Sequence, residues 1–171
     1  MKKFVIAAAA MFIGTTAFAD SGSGTLQVTG TVASSVNLTI QSAGGTTGGT
    51  GTGAATSALG TFSKYGTTPT GFTLARGASS YTLSSTIGVR FDKANLASTD
   101  YTLTAQLQDP VASGVTWKLK DLTVSDSGAT TLTSSGTYNS TASYNWDIVI
   151  ADSAASGTNI DNTINFTATS N

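Results

Sequence analysis

The 171-residue sequence lacks three residue types that carry much of protein chemistry. It contains no Cys and no His, and all of its nine acidic residues are Asp, so Glu is absent too. Without a thiol or an imidazole, Cys–His and Ser–His–Asp catalytic arrangements are impossible and the usual zinc ligands are missing. The fold must also form without disulfide bonds. We therefore expect a protein that is not an enzyme and that uses no cofactor and no metal.

Charged residues are scarce as well, at 10% of the chain, and the formal net charge is −1. A slightly acidic surface argues against nucleic acid or an anionic membrane as a partner. The absence of Glu and the small number of Lys disfavour helices, whose solvent-facing positions favour both residues. Thr and Ser are abundant instead, and these residues suit strands and turns.

The first nineteen residues have the organisation of a secretory signal peptide. Two Lys form a short basic region, an apolar run covers residues 4–13, and residues 17–19, Ala-Phe-Ala, form a small-x-small cleavage site. The apolar run is short for a membrane span, which favours cleavage over the alternative of a retained anchor. We predict a signal peptide at residues 1–19 and one mature domain at residues 20–171, without a transmembrane segment. The short basic start is typical of bacteria, so we expect a periplasmic or cell-surface location.

Apolar and polar residues alternate in short runs through the mature sequence, as they do in strands with one buried face. The runs include SYTLSSTIGVRF, YTLTAQLQ, VTWKL, SYNWDIVIAD and the closing NIDNTINFTATS. About eight to ten strands separated by turns favour two sheets that bury each other's apolar faces, in an all-β sandwich. We expect Trp117, Tyr144 and Trp146 at the centre of the core.

The segments between these runs are predicted to be loops and turns. Residues 43–54, AGGTTGGTGTGA, are predicted to form a flexible loop, and ALGTF and GFTLA, which follow it, to form two short strands. The alternation changes phase at Lys120-Asp121, which indicates a bulge or a tight turn. Residues 126–129, Asp-Ser-Gly-Ala, resemble the catalytic box of aspartic proteases, but a single copy between two strands is interpreted as a turn.

The opening stretch TLQVTGTVASSVNLTI, residues 25–40, forms an unusually long alternating ribbon. An exposed apolar face of this length invites pairing with another chain. In one interpretation the ribbon is the first strand or two of its own sandwich, bent at Ser34-Ser35. In the other it is a donor strand that adds to a neighbour's sheet by β-augmentation. The even-numbered apolar residues that carry either role are Leu26, Val28, Val32, Val36, Leu38 and Ile40.

The other end of the chain closes with GTNIDNTINFTATSN, in which Ile164 and Phe166 alternate with polar residues. With the alternating N-terminal ribbon and the Thr-rich body, this ending resembles secreted bacterial immunoglobulin-like proteins, including subunits of chaperone–usher fimbriae. The cysteine pair of fimbrial subunits is absent, and Ser170 stands where they carry an aromatic residue. The resemblance implies strand exchange with further copies or other surface subunits, through the ribbon, Ile164 and Phe166.

The expected function is therefore a structural or surface role, as a subunit or accessory of a fimbria-like assembly that acts through strand edges. The alternative is a carbohydrate-binding or adhesive module, in which exposed aromatic rings stack on sugars. Tyr65 and Tyr138 are the candidates for such exposed rings. Several Asp lie near predicted strand ends and could offer oxygens to calcium, but without a recognisable spacing they are interpreted as solvated turn residues.

Overall fold

The computed structural model describes residues 27, 29–42, 46–48, 51–52, 56–57 and 59–171, and this part of the chain is all-β. These described residues contain no helix, and therefore no helix that is long and apolar enough to span a membrane. The strands in chain order are β1 (Ser35–Ser42), β2 (Thr46–Gly48), β3 (Gly51–Thr52), β4 (Thr56–Ser57), β5 (Thr73–Arg76), β6 (Ser80–Ala94), β7 (Asp100–Leu107), β8 (Val115–Leu119), β9 (Leu122–Val124), β10 (Thr130–Thr137), β11 (Thr141–Ala151) and β12 (Ile164–Ser170).

The chain divides into one unit of residues 1–31 and a second of residues 32–171, which contains all of these strands. In the first unit the structure describes only four residues, which are exposed and lie outside strands. They are Gln27, Thr29, Gly30 and Thr31.

The larger sheet is antiparallel and is organised around β6, its longest strand. The strand order is β3-β1-β6-β11-β8-β9, and β5 also pairs with β6. β11 runs along one side of β6, while β5 and β1 follow each other along the other side. The register aligns one row of apolar side chains across five strands. If one strand slipped by a single residue, its apolar side chain in this row would face solvent. The row consists of Leu74, Leu83, Ile148, Trp117 and Val124.

The smaller sheet has the order β10-β7-β12 and is also antiparallel, while β2 and β4 form a separate pair. The alternation in β7 is strict, with Tyr101, Leu103, Ala105 and Leu107 buried and the residues between them half-buried. One face of this sheet is therefore apolar and covers the larger sheet, as in a two-layer sandwich.

Aromatic side chains from both sheets fill the space between the layers. The Phe91 ring on β6 lies 5.1 Å from the Tyr101 ring on β7. Farther along the core, the Trp117 and Trp146 rings stack at 6.0 Å, and Phe72 meets Trp146 edge-on at 5.2 Å. The predicted core positions of both Trp residues and of Tyr144 are confirmed, since each side chain is buried.

The predicted change of phase after VTWKL is a two-residue hairpin turn. Lys120 and Asp121 have positive φ angles of 53° and 64°, and Leu119 pairs directly with Leu122. Two successive positive φ angles define a type I′ turn, whose twist matches that of the flanking strands. Residues that pair across the strands share one face of the sheet. Because the turn contains two residues, odd-numbered Leu119 pairs with even-numbered Leu122, and the apolar residues change from odd to even numbers.

Two local predictions are wrong. The predicted loop at residues 43–54 contains strands β2 and β3, while residues 43–45, 49–50 and 53–54 lie outside the described residues. The strand predicted at ALGTF does not form, because residues 59–62 lie outside strands. Leu59 and Phe62 nevertheless pack against the core, so burial alone explains their apolar character.

Candidate assembly surface

Strand β12 forms one edge of the smaller sheet and has a single neighbour, β7, in the part of the chain that the structure describes. Its inward-facing residues Ile164, Phe166 and Ala168 touch the core but remain half-buried. Their cross-strand partners on β7 are at most 1% exposed. Because both sets face the same core, the difference arises because no strand of the described residues lies beside β12 on its outer side. The partners are Leu107, Ala105 and Leu103.

The hydrogen-bonding direction of β12 follows from the bonds at its two ends. The Gln108 N–H donates to the Thr163 carbonyl oxygen at 2.9 Å, and the Asn171 N–H donates to the Asp100 carbonyl oxygen at 3.2 Å. In an antiparallel ladder this direction alternates, so the odd-numbered residues bond to β7 and the even-numbered ones point their N–H and C=O groups away from it. The open edge thus belongs to the same residues that carry the half-buried side chains.

Four other edge strands carry features that hinder pairing with a further strand. β3, β9 and β5 are two, three and four residues long, and β10 has register shifts at Thr131/Thr133 and at Thr133/Gly136. Short length and bulges are two ways in which proteins protect sheet edges. β12 has seven residues, a regular register with β7, and no charged residue or Pro in its sequence INFTATS. Among these five described edge strands it is therefore the one best suited to accept a strand.

The predicted opening ribbon is divided in the structure. Val36, Leu38 and Ile40 lie in β1, where they pair with β6, so residues 35–42 belong to the chain's own sheet. The predicted bend at Ser34-Ser35 coincides with the start of β1. Val32 lies before this strand and is 80% exposed, and Val36 at its start is 52% exposed. Leu26 and Val28 lie outside the described residues.

The prediction of an exposed ring at Tyr138 is wrong. Its side chain is 7% exposed, and its ring lies 5.4 Å from Phe91 and 5.3 Å from Tyr101. The hydroxyl donates a hydrogen bond to the Ser98 Oγ atom at 3.3 Å, and the Lys93 Nζ atom lies 4.7 Å from the ring centroid. Tyr138 continues the inward-facing parity of β10 beyond the end of that strand, which carries the ring into the core.

Tyr65 is exposed as predicted, at 82%. It lies beside a small polar cluster in which the Lys64 Nζ atom is 2.7 Å from the Asp152 Oδ2 atom. The Arg76 Nε atom donates to the Lys64 carbonyl oxygen at 2.5 Å. Contact of Tyr65 with a sugar stays a prediction.

The acidic residues do not gather in the described part of the chain, which has no group of three or more that could hold a metal ion. Asp92 forms an ion pair with Arg90 at 2.7 Å, and Asp152 forms the pair with Lys64. The Asp-Ser-Gly stretch at residues 126–128 lies in the connection between β9 and β10, consistent with its interpretation as a turn.

Comparison of the chain with protein-family models, with curated proteins and with solved structures finds no significant match. Functional conclusions therefore rest on the geometry of the chain itself.

Proposed function

We propose that the protein is an exported, immunoglobulin-like structural subunit of a bacterial surface or periplasmic assembly. In this assembly the N-terminal segment of one copy adds as a strand to the open edge of β12 in the next copy. The observation that carries the proposal is the half-burial of Ile164, Phe166 and Ala168 opposite fully buried β7 partners. An added strand would cover these side chains and satisfy the backbone groups of the open edge.

The donor segment, residues 24–34, has the chemistry that this edge requires. Leu26, Val28 and Val32 share one parity, so in an extended strand they would all face the core of the accepting copy. Neither the donor sequence GTLQVTGTVAS nor β12 contains a charged residue, so no like charges oppose their pairing. Completing the burial of half-exposed Ile and Phe side chains contributes on the order of 1 kcal/mol each.

The donor segment and β12 are different surfaces of the chain, so their contact is heterologous. A heterologous contact leaves one free donor and one free acceptor at the ends of the complex unless the copies close into a ring. The assembly therefore extends head to tail into chains of copies instead of stopping at a symmetric dimer.

The experiment uses the processed protein and changes each surface separately. Val28→Asp/Val32→Asp places charges on the predicted inward face of the donor, and Thr29→Asp/Thr31→Asp places the same charges on its outward face as a control. Ala168→Pro removes one N–H from the open edge without removing a bond to β7, since Ala168 is even-numbered. We expect concentration-dependent oligomers in sedimentation velocity for the unaltered protein and the control, and monomers for the other two variants.

Mixing the two monomeric variants tests the direction of assembly. The Val28→Asp/Val32→Asp variant keeps its acceptor edge, and the Ala168→Pro variant keeps its donor segment, so together they should form a 1:1 complex that grows no further. Circular dichroism and thermal unfolding check that both remain folded. A strictly monomeric unaltered protein at 100 μM or more, or equal loss of assembly in the control, would contradict the proposal.

A further inference from the structure

A small cavity lies at the opposite edge of the smaller sheet from β12. Its volume is about 230 Å³, and it opens to solvent on one side. One wall is formed by Thr133 and residues 135–137 of β10, and the other by residues 140–142 at the start of β11. Tyr101 and Tyr144 complete the lining.

The cavity exists because β10 leaves regular pairing at this point. Its register against β7 shifts between Thr131 and Thr133 and again between Thr133 and Gly136. Within the shift, the Ser135 N–H donates to the Thr133 Oγ1 atom at 3.3 Å, so a side chain takes a bond that a regular ladder would give to backbone. On the other side of the cavity, β8 pairs with β11 only at residues 146–150 of β11, so it does not extend to the cavity. Bulges of this kind occur preferentially at sheet edges and beside functional sites.

The lining is rich in neutral hydroxyl groups. Among the described residues that line the cavity none is charged, and Ala142 is the sole apolar side chain. Each hydroxyl can donate one hydrogen bond and accept others. The aliphatic hydroxyls come from Thr133, Ser135, Thr137, Ser140 and Thr141.

The two tyrosines add neutral phenol groups. Burial raises the pKa of Tyr101 and of Tyr144 above the ordinary value, and the neighbouring phenols Tyr138 and Tyr101, respectively, raise the two values further. Both side chains therefore keep their proton throughout the neutral range and can act as donors.

We infer that this cavity, the hydroxyl pocket, binds one ring of a neutral sugar. A sugar ring carries several adjacent hydroxyls that donate and accept at once, which matches a wall of Ser, Thr and Tyr hydroxyls. An apolar ligand would strip water from these hydroxyls without replacing their hydrogen bonds. An anion would find no positive charge in the lining, and a calcium ion would find no carboxylate. The pocket shares no residue with β12, so the inference is independent of the proposed assembly.

The binding experiment uses the processed protein and neutral methyl hexosides, the α-methyl glycosides of glucose, galactose and mannose, with methyl glucuronide as the charged comparison. Titrations are followed by amide NMR shifts. We expect saturable binding of at least one neutral glycoside, with shifts concentrated at residues 133–144, and at least tenfold weaker binding of the glucuronide. A matching trisaccharide that binds more tightly than its methyl glycoside would identify the ligand as a terminal glycan residue; equal affinity would identify it as a free sugar.

Substitutions that remove single hydroxyls locate the site. Tyr144→Phe and Thr137→Val each delete one hydroxyl and keep most of the side-chain volume, and we expect each to weaken binding about threefold to tenfold. Tyr81→Phe, on β6 and outside the pocket, is the matched control and should bind as the unaltered protein does. Ala168→Pro should also bind normally, which separates the pocket from assembly. The inference is overturned if no neutral glycoside saturates below 50 mM, or if Tyr144→Phe and Thr137→Val bind as tightly as Tyr81→Phe.

Discussion

Gly136 offers the sharpest test of how β10 packs on the core. A Cβ atom added at this position would lie 2.3, 2.4 and 2.7 Å from the Cζ, Cε2 and Cε1 atoms of Tyr101. Contacting carbon atoms lie about 3.5–4.0 Å apart, so the ring and the backbone must separate by about 1 Å. The ring cannot withdraw freely, because Phe91 and Tyr138 hold it at centroid distances of 5.1 and 5.3 Å.

Overpacking of a well-packed core costs about 1–3 kcal/mol, and the short distances place Gly136→Ala near the upper end of that range. Gly128→Ala is the matched control, since nothing lies within 4 Å of its added Cβ and neither glycine has a positive φ. The control should be neutral or stabilising by up to about 1 kcal/mol, because Ala restricts the unfolded chain. The two variants should therefore differ by about 3 kcal/mol in the free energy of unfolding.

Urea unfolding of the processed protein, followed by tryptophan fluorescence, measures this difference. With a slope of about 2 kcal/mol per molar urea, the midpoint of Gly136→Ala should lie roughly 1.5 M below that of the control. In a Tyr101→Leu background the cost of Gly136→Ala should largely disappear, because the two residues are directly coupled. A Gly136→Ala variant within 0.5 kcal/mol of the control would refute the close packing of Tyr101 on β10.

Three further outcomes are expected. Because folding raises the pKa of Tyr101 and Tyr144, their contribution to stability is complete below the ordinary tyrosine pKa of about 10 and is lost at higher pH. Replacing both tyrosines by Phe should reduce the fall of the urea midpoint at alkaline pH. An unchanged fall would contradict the assignment of this loss of stability to Tyr101 and Tyr144. Asp121→Gly should stabilise by about 0.5 kcal/mol in thermal unfolding, since Gly adopts positive φ without steric cost, and a loss would contradict the turn assignment. Asp152→Asn should cost less than about 1 kcal/mol by the same measurement, since the Asp152 side of its pair with Lys64 is 40% exposed, and a larger cost would show that the pair is structural.

Most of the strands were predictable from the sequence because alternation is a local property. Leu103, Ala105 and Leu107 are apolar at every second position, and in β7 they are buried at every second position. The phase change at Lys120-Asp121 likewise predicted a turn, since the two flanking apolar sets could not share one strand face. The absence of Cys, His and Glu excluded whole classes of catalytic site without reference to any structure.

The alternation of apolar and polar residues does not reveal how completely other side chains bury a residue that faces the core. Tyr138 follows β10 in a stretch without a clear pattern, and its burial depends on the rings of Phe91 and Tyr101, which are distant in sequence. Ile164 and Phe166 have the same pattern as the residues of β7, yet they are half-buried because β12 lies at an edge. Edge position depends on which strands pair, and strand pairing is a long-range choice.

The sequence by itself therefore determined the all-β class and the faces of the main strands, and it excluded sites built from Cys, His or Glu side chains. Those properties follow from side-chain type and from the two-residue repeat of an extended chain. The tertiary structure alone decided that β12 lies at an edge with one neighbour among the described strands, and that a pocket with hydroxyl-bearing residues lies beside the bulge in β10. Both features depend on which strands lie next to each other and on how they pair. These pairings join residues distant in sequence and are fixed only when the whole sheet has formed.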